Sequence, residues 1–245
     1  LVNNELGTQF PVKEIALAAR NAAADANVSK SYIIVHTDAV QAIGHVPVDV
    51  KDLGVDMLSL SAHKFGGPKG VGAIYIKKSF MGHINPLIDG GGQERGMRSG
   101  TENVAGIVGL GAAIQCATEN LEKNMKHIAH LKELFIQRCE DKSLFFIQNV
   151  DDTNSNILSL RFPGHDSESL ILTLDMLGVC AAAGSACTTD LIKLSHVLKA
   201  IGLSDDDARA TMRFSFGPQN TEEEVEFAVD RLADALDITK GGAVL

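Results

Sequence analysis

Basic residues are in deficit. Lys and Arg number 22 against 31 Asp and Glu, a net charge of −9, and no local cluster of Lys and Arg offsets that average. Phosphate backbones and anionic lipid are therefore not attracted in general, which argues against nucleic acid and membrane as partners. Cysteine is sparse as well. Cys116, Cys139, Cys180 and Cys187 stand far apart with no CxxC pair, which excludes a disulfide scaffold and predicts reduced thiols in a cytoplasmic setting. Long apolar runs are missing: the stretch 104–114 is interrupted by Gly106, Gly109 and Gly111 and is too short to span a bilayer. Repeats, low-complexity tracts and long charge blocks are absent too. The chain opens on Leu1 rather than Met, and is expected to be a piece of a longer protein.

What is present suffices for a large core. Hydrophobic residues make up 45% of 245, enough for two lobes. Pro11 followed by Ile15, Ala18, Ala19 and Ala22 predicts a helix that ends near Asp25. The apolar runs 32–36, 57–61 and 72–76 predict strands, and their separation by helix-length segments predicts an α/β layer with a mostly parallel sheet. Beyond Thr101, Leu121, Met125, Ile128, Leu131 and Phe135 recur at helical spacing. Strands are expected at 157–162 and 211–215, and a helix over 167–177 stopped by Gly178. A capping box of Thr221 and Glu224 opens a last helix. The expected organisation is a partial large domain over 1–115, a linking helix over 116–141 and a small C-terminal α+β domain over 142–245.

Asp38 follows the first strand, and Ser61, Ala62, His63 and Lys64 close the second. Carboxyl ends of strands are where open α/β sheets bind ligands. Pyridoxal phosphate needs a Schiff-base lysine, a carboxylate that keeps its pyridine nitrogen protonated, and donors for its phosphate. Lys64, Asp38, and Ser61 with His63 supply those groups, and Gln41, one turn past Asp38, can donate to the ring's phenolic oxygen. Taken singly, each has an ordinary alternative, a solvated lysine or a capping aspartate. A phosphate-binding P-loop does not fit, since residues 66–70 lack the required GK[ST] ending. A metal site on His36 and Asp38 lacks partners nearby.

Four segments in order, Val2-Asn3-Asn4-Glu5-Leu6-Gly7, His36-Thr37-Asp38-Ala39-Val40-Gln41, Ser61-Ala62-His63-Lys64-Phe65-Gly66-Gly67-Pro68-Lys69-Gly70 and Arg98-Ser99-Gly100-Thr101-Glu102-Asn103, resemble the signatures of cysteine desulfurases of the NifS/IscS type. The resemblance spans the whole chain. It implies a class V aminotransferase-like enzyme of pyridoxal-phosphate fold type I, normally a homodimer, that converts L-cysteine to L-alanine. By matching positions, Asn4 and Gln41 contact the cofactor ring, Ser61 and His63 hold its phosphate, and Thr101 reaches the phosphate of the partner subunit's cofactor. Lys64 carries the cofactor and moves the α-proton. The family's N-terminal portion, with its own phosphate-binding turn and a ring-stacking histidine, is expected to be missing here.

A desulfurase also needs a mobile thiol. Ala183-Gly184-Ser185-Ala186-Cys187 is rich in small residues and resembles the family's cysteine loop, which makes Cys187 the residue that takes up sulfur as a persulfide and a possible transient Fe–S ligand, with no other metal site implied. The other three cysteines read as small buried hydrophobes. Thr211-Met212-Arg213-Phe214-Ser215 resembles the segment whose arginine pairs with the substrate's α-carboxylate; with Asn4, Arg213 completes the expected substrate contacts. The implied sulfur acceptor is an iron–sulfur scaffold or a tRNA-thiolation enzyme. Two alternatives remain at this level: a selenocysteine lyase or other class V lyase, and a non-catalytic piece that only dimerises or binds a partner.

Overall fold

Apolar spacing and chain punctuation set the elements, and the connections between them set the sheet. The computed structural model describes residues 1–26, 33–151, 154–184 and 194–240. The chain divides into two units, one of Leu1–Val2 and Gln9–Leu121, the other of Asn3–Thr8 and Glu122–Leu245.

In the first unit, α1 (Val12–Asp25) follows Pro11, whose fixed φ suits a helix start. Strands β1 (His36–Asp38), β2 (Met57–Ser61) and β3 (Gly72–Ile76) form one sheet in that order. β1 and β2 are parallel, with Asp38 opposite Ser59; β2 and β3 are antiparallel. The α/β class holds, but the described sheet is mixed rather than mostly parallel. The reason lies in the connection: the stretch 62–71 is shorter than a parallel crossover requires.

The first strand also lies later than its apolar run suggests. Val35 bonds to the corner before β2 instead: its carbonyl accepts from the N–H groups of Asp56 and Met57, and its N–H donates to Asp56 Oδ2. Asp56 is fully buried and paired with Arg20 at 3.0 Å, which is how a buried carboxylate is tolerated. The core beneath is built from Ala39, Ala42, Val46, Val55 and Leu58. Helix α2 (Val104–Glu119) completes the unit, capped by Asn103, whose side chain accepts from the Gly106 N–H.

The stretch 116–141 is not one linking helix. It comprises the end of α2 and, after Asn120, all of α3 (Leu121–Asp141). α3 places Ile128, Leu131, Phe135 and Cys139 on one face and buries them in the core of the second unit. The sheet there, β4 (Ile147–Gln148), β5 (Ile157–Arg161) and β6 (Thr211–Ser215), is antiparallel throughout. Phe135 packs on Phe214 and Phe216 with ring centroids 4.8 and 5.9 Å apart. Helix α4 (Ser167–Met176) ends where Gly178 takes φ +85°, and the short α5 (His196–Ala200) and α6 (Asp205–Arg209) precede β6. The last helix, α7 (Glu222–Thr239), has both bonds of the Thr221–Glu224 capping box. Among the described residues no single helix is long and apolar enough to cross a membrane.

Candidate active site

Because β1 and β2 run parallel, their carboxyl ends share one edge, and that edge carries the predicted residues. Asp38 ends β1, exposed, with Oδ1 accepting the Val40 N–H at 2.8 Å. That bond turns the chain at once and brings half-buried Gln41 into the same turn. Ser61 ends β2, and a single 3₁₀ turn, Ala62–Lys64, then carries His63 and Lys64.

The chain around Lys64 is tightly folded. Ala62 donates its N–H to Val71 O, and its carbonyl accepts from both Phe65 and Gly67. A Cβ at Gly67 would stand 2.8 Å from the Ala62 Cβ and 3.1 Å from that of Ala113 on α2, so glycine is needed for this approach. Lys64 itself is half-buried, and its amine has no ion pair or hydrogen bond among the described residues. The side chains of Gln41, Ser61, His63 and Thr101 are likewise uncommitted among those residues. Thr101 sits exposed just before the Asn103 cap of α2.

Sequence reasoning did not single out His45. It is buried, and its Nε2 donates to the Lys64 carbonyl at 3.1 Å. A main-chain acceptor leaves no mark in the pattern of side chains, so no motif pointed to this pairing.

Asn4 and Arg213 belong to the second unit and meet there. Arg213, half-buried in β6, donates from its guanidinium to the carbonyls of Asn4 at 2.7 Å and Gly184 at 3.4 Å, while its backbone bridges Ala182. Glu5, also not foreseen, is buried beside them and accepts a bond from the Ser195 hydroxyl, the cap of α5. Cys187 lies outside the described residues. Of the other thiols, Cys139 is buried as expected, and burial, helped by the Glu140 charge, pushes its pKa up to about 12. Cys116 and Cys180 are exposed, contrary to the expectation of burial. Cys116 falls on a helix, α2, that buries only Gly106, and Cys180 lies past the end of α4, so neither reaches a core.

The donor set fits pyridoxal phosphate. A carboxylate, an amide, a hydroxyl, an imidazole and an uncommitted amine all stand along the β1–β2 edge and the turns leaving it, held by a turn that a Cβ at Gly67 would fill. Among the described residues no group of three His, Cys, Asp or Glu could hold a metal ion.

A lysine, an aspartate, a serine and a histidine on the carboxyl edge of parallel strands make up an α/β layer whose side chains suit an aldehyde cofactor. The family model described as aminotransferase class-V matches residues 1–227, and the chain belongs to that family. It is 44% identical over 234 residues to a protein named cysteine desulfurase IscS from Clostridium botulinum, covering 94% of this chain and 56% of that one. A cysteine desulfurase IscS from Dictyoglomus turgidum is 42% identical over 233 residues, with the same coverage. A solved structure described as a NifS-like protein superposes with TM-score 0.83 at 35% identity, covering 97% of this chain and 59% of that one. The chain thus spans a little over half the length of the curated relatives it matches.

Proposed function

We propose that the whole protein is a cysteine desulfurase dependent on pyridoxal phosphate. The observation that carries this reading is the convergence of Asp38, Ser61, His63 and Lys64 on the carboxyl edge of β1 and β2. The names of the relatives support it. When bound, the cofactor supplies an electron sink for the α-carbon of an amino acid.

The chain's own residues do the rest. Asp38 presents a carboxylate oxygen that holds a proton on the pyridine nitrogen. Ser61 Oγ and His63 donate to the phosphate, Gln41 and Asn4 orient the ring, and Thr101 serves the cofactor of a partner subunit in a homodimer. Lys64 Nζ binds the cofactor and then moves the α-proton as a general base and acid. Arg213 offers a planar guanidinium fork to the substrate's α-carboxylate. Cys187 takes the sulfur: the C–S bond of L-cysteine breaks, an S–S bond forms on Cys187, and the thiol's proton ends on L-alanine. The persulfide then passes to an acceptor protein, an iron–sulfur scaffold or a tRNA-thiolation enzyme, in the cytoplasm.

Spectroscopy on the intact protein tests the core of this reading. Added pyridoxal phosphate is expected to give a visible absorption band that Lys64→Ala abolishes, together with alanine release from cysteine. A wild-type protein without the band, or a band that survives Lys64→Ala, overturns it.

A further inference from the structure

The residue that grips the backbone of Lys64 is a histidine, and its surroundings determine which of its nitrogens carries a proton. His45 is 9% exposed and reaches the Lys64 carbonyl with Nε2 at 3.1 Å. A carbonyl oxygen only accepts, so Nε2 must bear the hydrogen. The opposite nitrogen, Nδ1, is buried with no partner among the described residues. A proton placed there would be left without an acceptor and would put a charge into a site shielded from water. Both edges of the ring therefore point to one form, neutral and protonated at Nε2.

Its neighbours support the same conclusion. The ring's pKa lies below the ordinary histidine value, chiefly because of burial, with the bond to the Lys64 carbonyl opposing that shift. No acidic or basic side chain bonds the ring among the described residues, and the titratable residues on the 3₁₀ turn packed against it are His63 and Lys64.

The approach of the two segments is built in independently. Gly44, immediately before His45, takes φ +80°, and a Cβ there would stand 3.0 Å from the Phe65 Cβ and 3.3 Å from that of Ala117. Only a residue without a side chain lets the 39–46 turn lie this close to the Lys64–Phe65 backbone. That turn is itself pinned, with the Ala39 carbonyl accepting from Ala42 and Ile43 and that of Ala42 from His45 and Val46. Since Ala39 in turn donates to Ser59 O on β2, His45 ties the 3₁₀ turn back to the β1–β2 edge that supplies Asp38 and Ser61.

We propose that His45 is a positioning residue for Lys64: its neutral ring, protonated at Nε2, fixes the main chain from which the lysine side chain extends toward the cofactor. The proposal rests on the reading of Lys64 as the cofactor lysine. His45 makes no contact with cofactor or substrate in this scheme; it acts through the carbonyl alone.

Two measurements on the intact protein test it. The first needs no cofactor. A two-bond proton–nitrogen correlation spectrum of the histidine rings, with the His45 signals identified by their loss in His45→Gln, should show Nε2 protonated and Nδ1 bare. That pattern should persist at about pH 6.5, where a free imidazole is half protonated. A ring protonated at Nδ1, or one titrating with an ordinary midpoint, overturns the proposal. The second compares His45→Gln, whose amide can donate as Nε2 does, with His45→Leu, which fills the space but cannot donate. Affinity for pyridoxal phosphate, read from the visible band, should fall about fivefold in the leucine variant and return to within about twofold of wild type in the glutamine variant, the scale of one net hydrogen bond. Equal affinity in wild type and His45→Leu, or a glutamine variant as weak as leucine, overturns the role assigned to His45. Failure of the underlying reading looks different, since the wild type then shows no band or keeps it in Lys64→Ala.

Discussion

A half-buried lysine whose amine meets no partner among the described residues differs in kind from a buried charge that is paired. In the same unit, Asp56 is sealed from solvent but bonded to Arg20 and to the Val35 N–H, with the Lys77 ammonium 3.6 Å away. Lys64 has no such partner among the described residues, which leaves its amine available for chemistry. Thiols divide on similar grounds. Burial keeps Cys139 protonated and inert, which removes it as a sulfur carrier. The assignment of that role to Cys187 makes a sharp expectation: Cys187→Ser in the intact protein should keep the visible band of bound pyridoxal phosphate yet release no alanine from cysteine under reductant. Continued turnover in a coupled alanine assay would identify the wrong nucleophile. Lys64, Asp38, Ser61 and His63 were legible in the sequence because their chemistry lies in residue type and order. His45 was not, because its partner is a carbonyl that every residue possesses.

Elements position these groups through a few tight contacts. The Ala62–Lys64 turn holds its shape because Gly67 folds back onto Ala62 and packs against Ala113 of α2. Gly67→Ala would place a methyl 3.0 Å from the Ala62 carbonyl oxygen and 2.8 Å from its Cβ, both too close to keep without backbone movement. Overpacking of this kind costs about 1–3 kcal/mol, and the displaced turn should also weaken the visible band. Urea denaturation and cofactor titration of the same variant measure the two effects, and an unchanged band would mean that the turn tolerates the shift. The direction of β3 was decided at this scale too. Its apolar residues mark a strand and say nothing of direction, whereas the short stretch before it leaves only an antiparallel return.

For the molecule as a whole, the second unit holds the larger continuous core. Leu160 is fully buried at its centre, on β5 between β4 and β6. Leu160→Ala is expected to cost about 2–5 kcal/mol, the range for a cavity left in a packed core, and circular dichroism during denaturation measures it. A smaller loss would mean that the neighbouring helices collapse into the space. By itself the sequence determined most of the helices and strands, where the capping box and the Gly178 stop fall, and which side chains are candidates for cofactor chemistry, since periodicity and residue type are local properties. Tertiary structure alone decided that residues 3–8 fold with the second unit, that Arg213 donates to the carbonyls of Asn4 and Gly184, and that Cys116 and Cys180 stay exposed. It also decided that His45 holds Lys64. Burial and hydrogen bonds to the main chain depend on which distant segments meet, and a main-chain carbonyl looks the same at every position until the chain has folded.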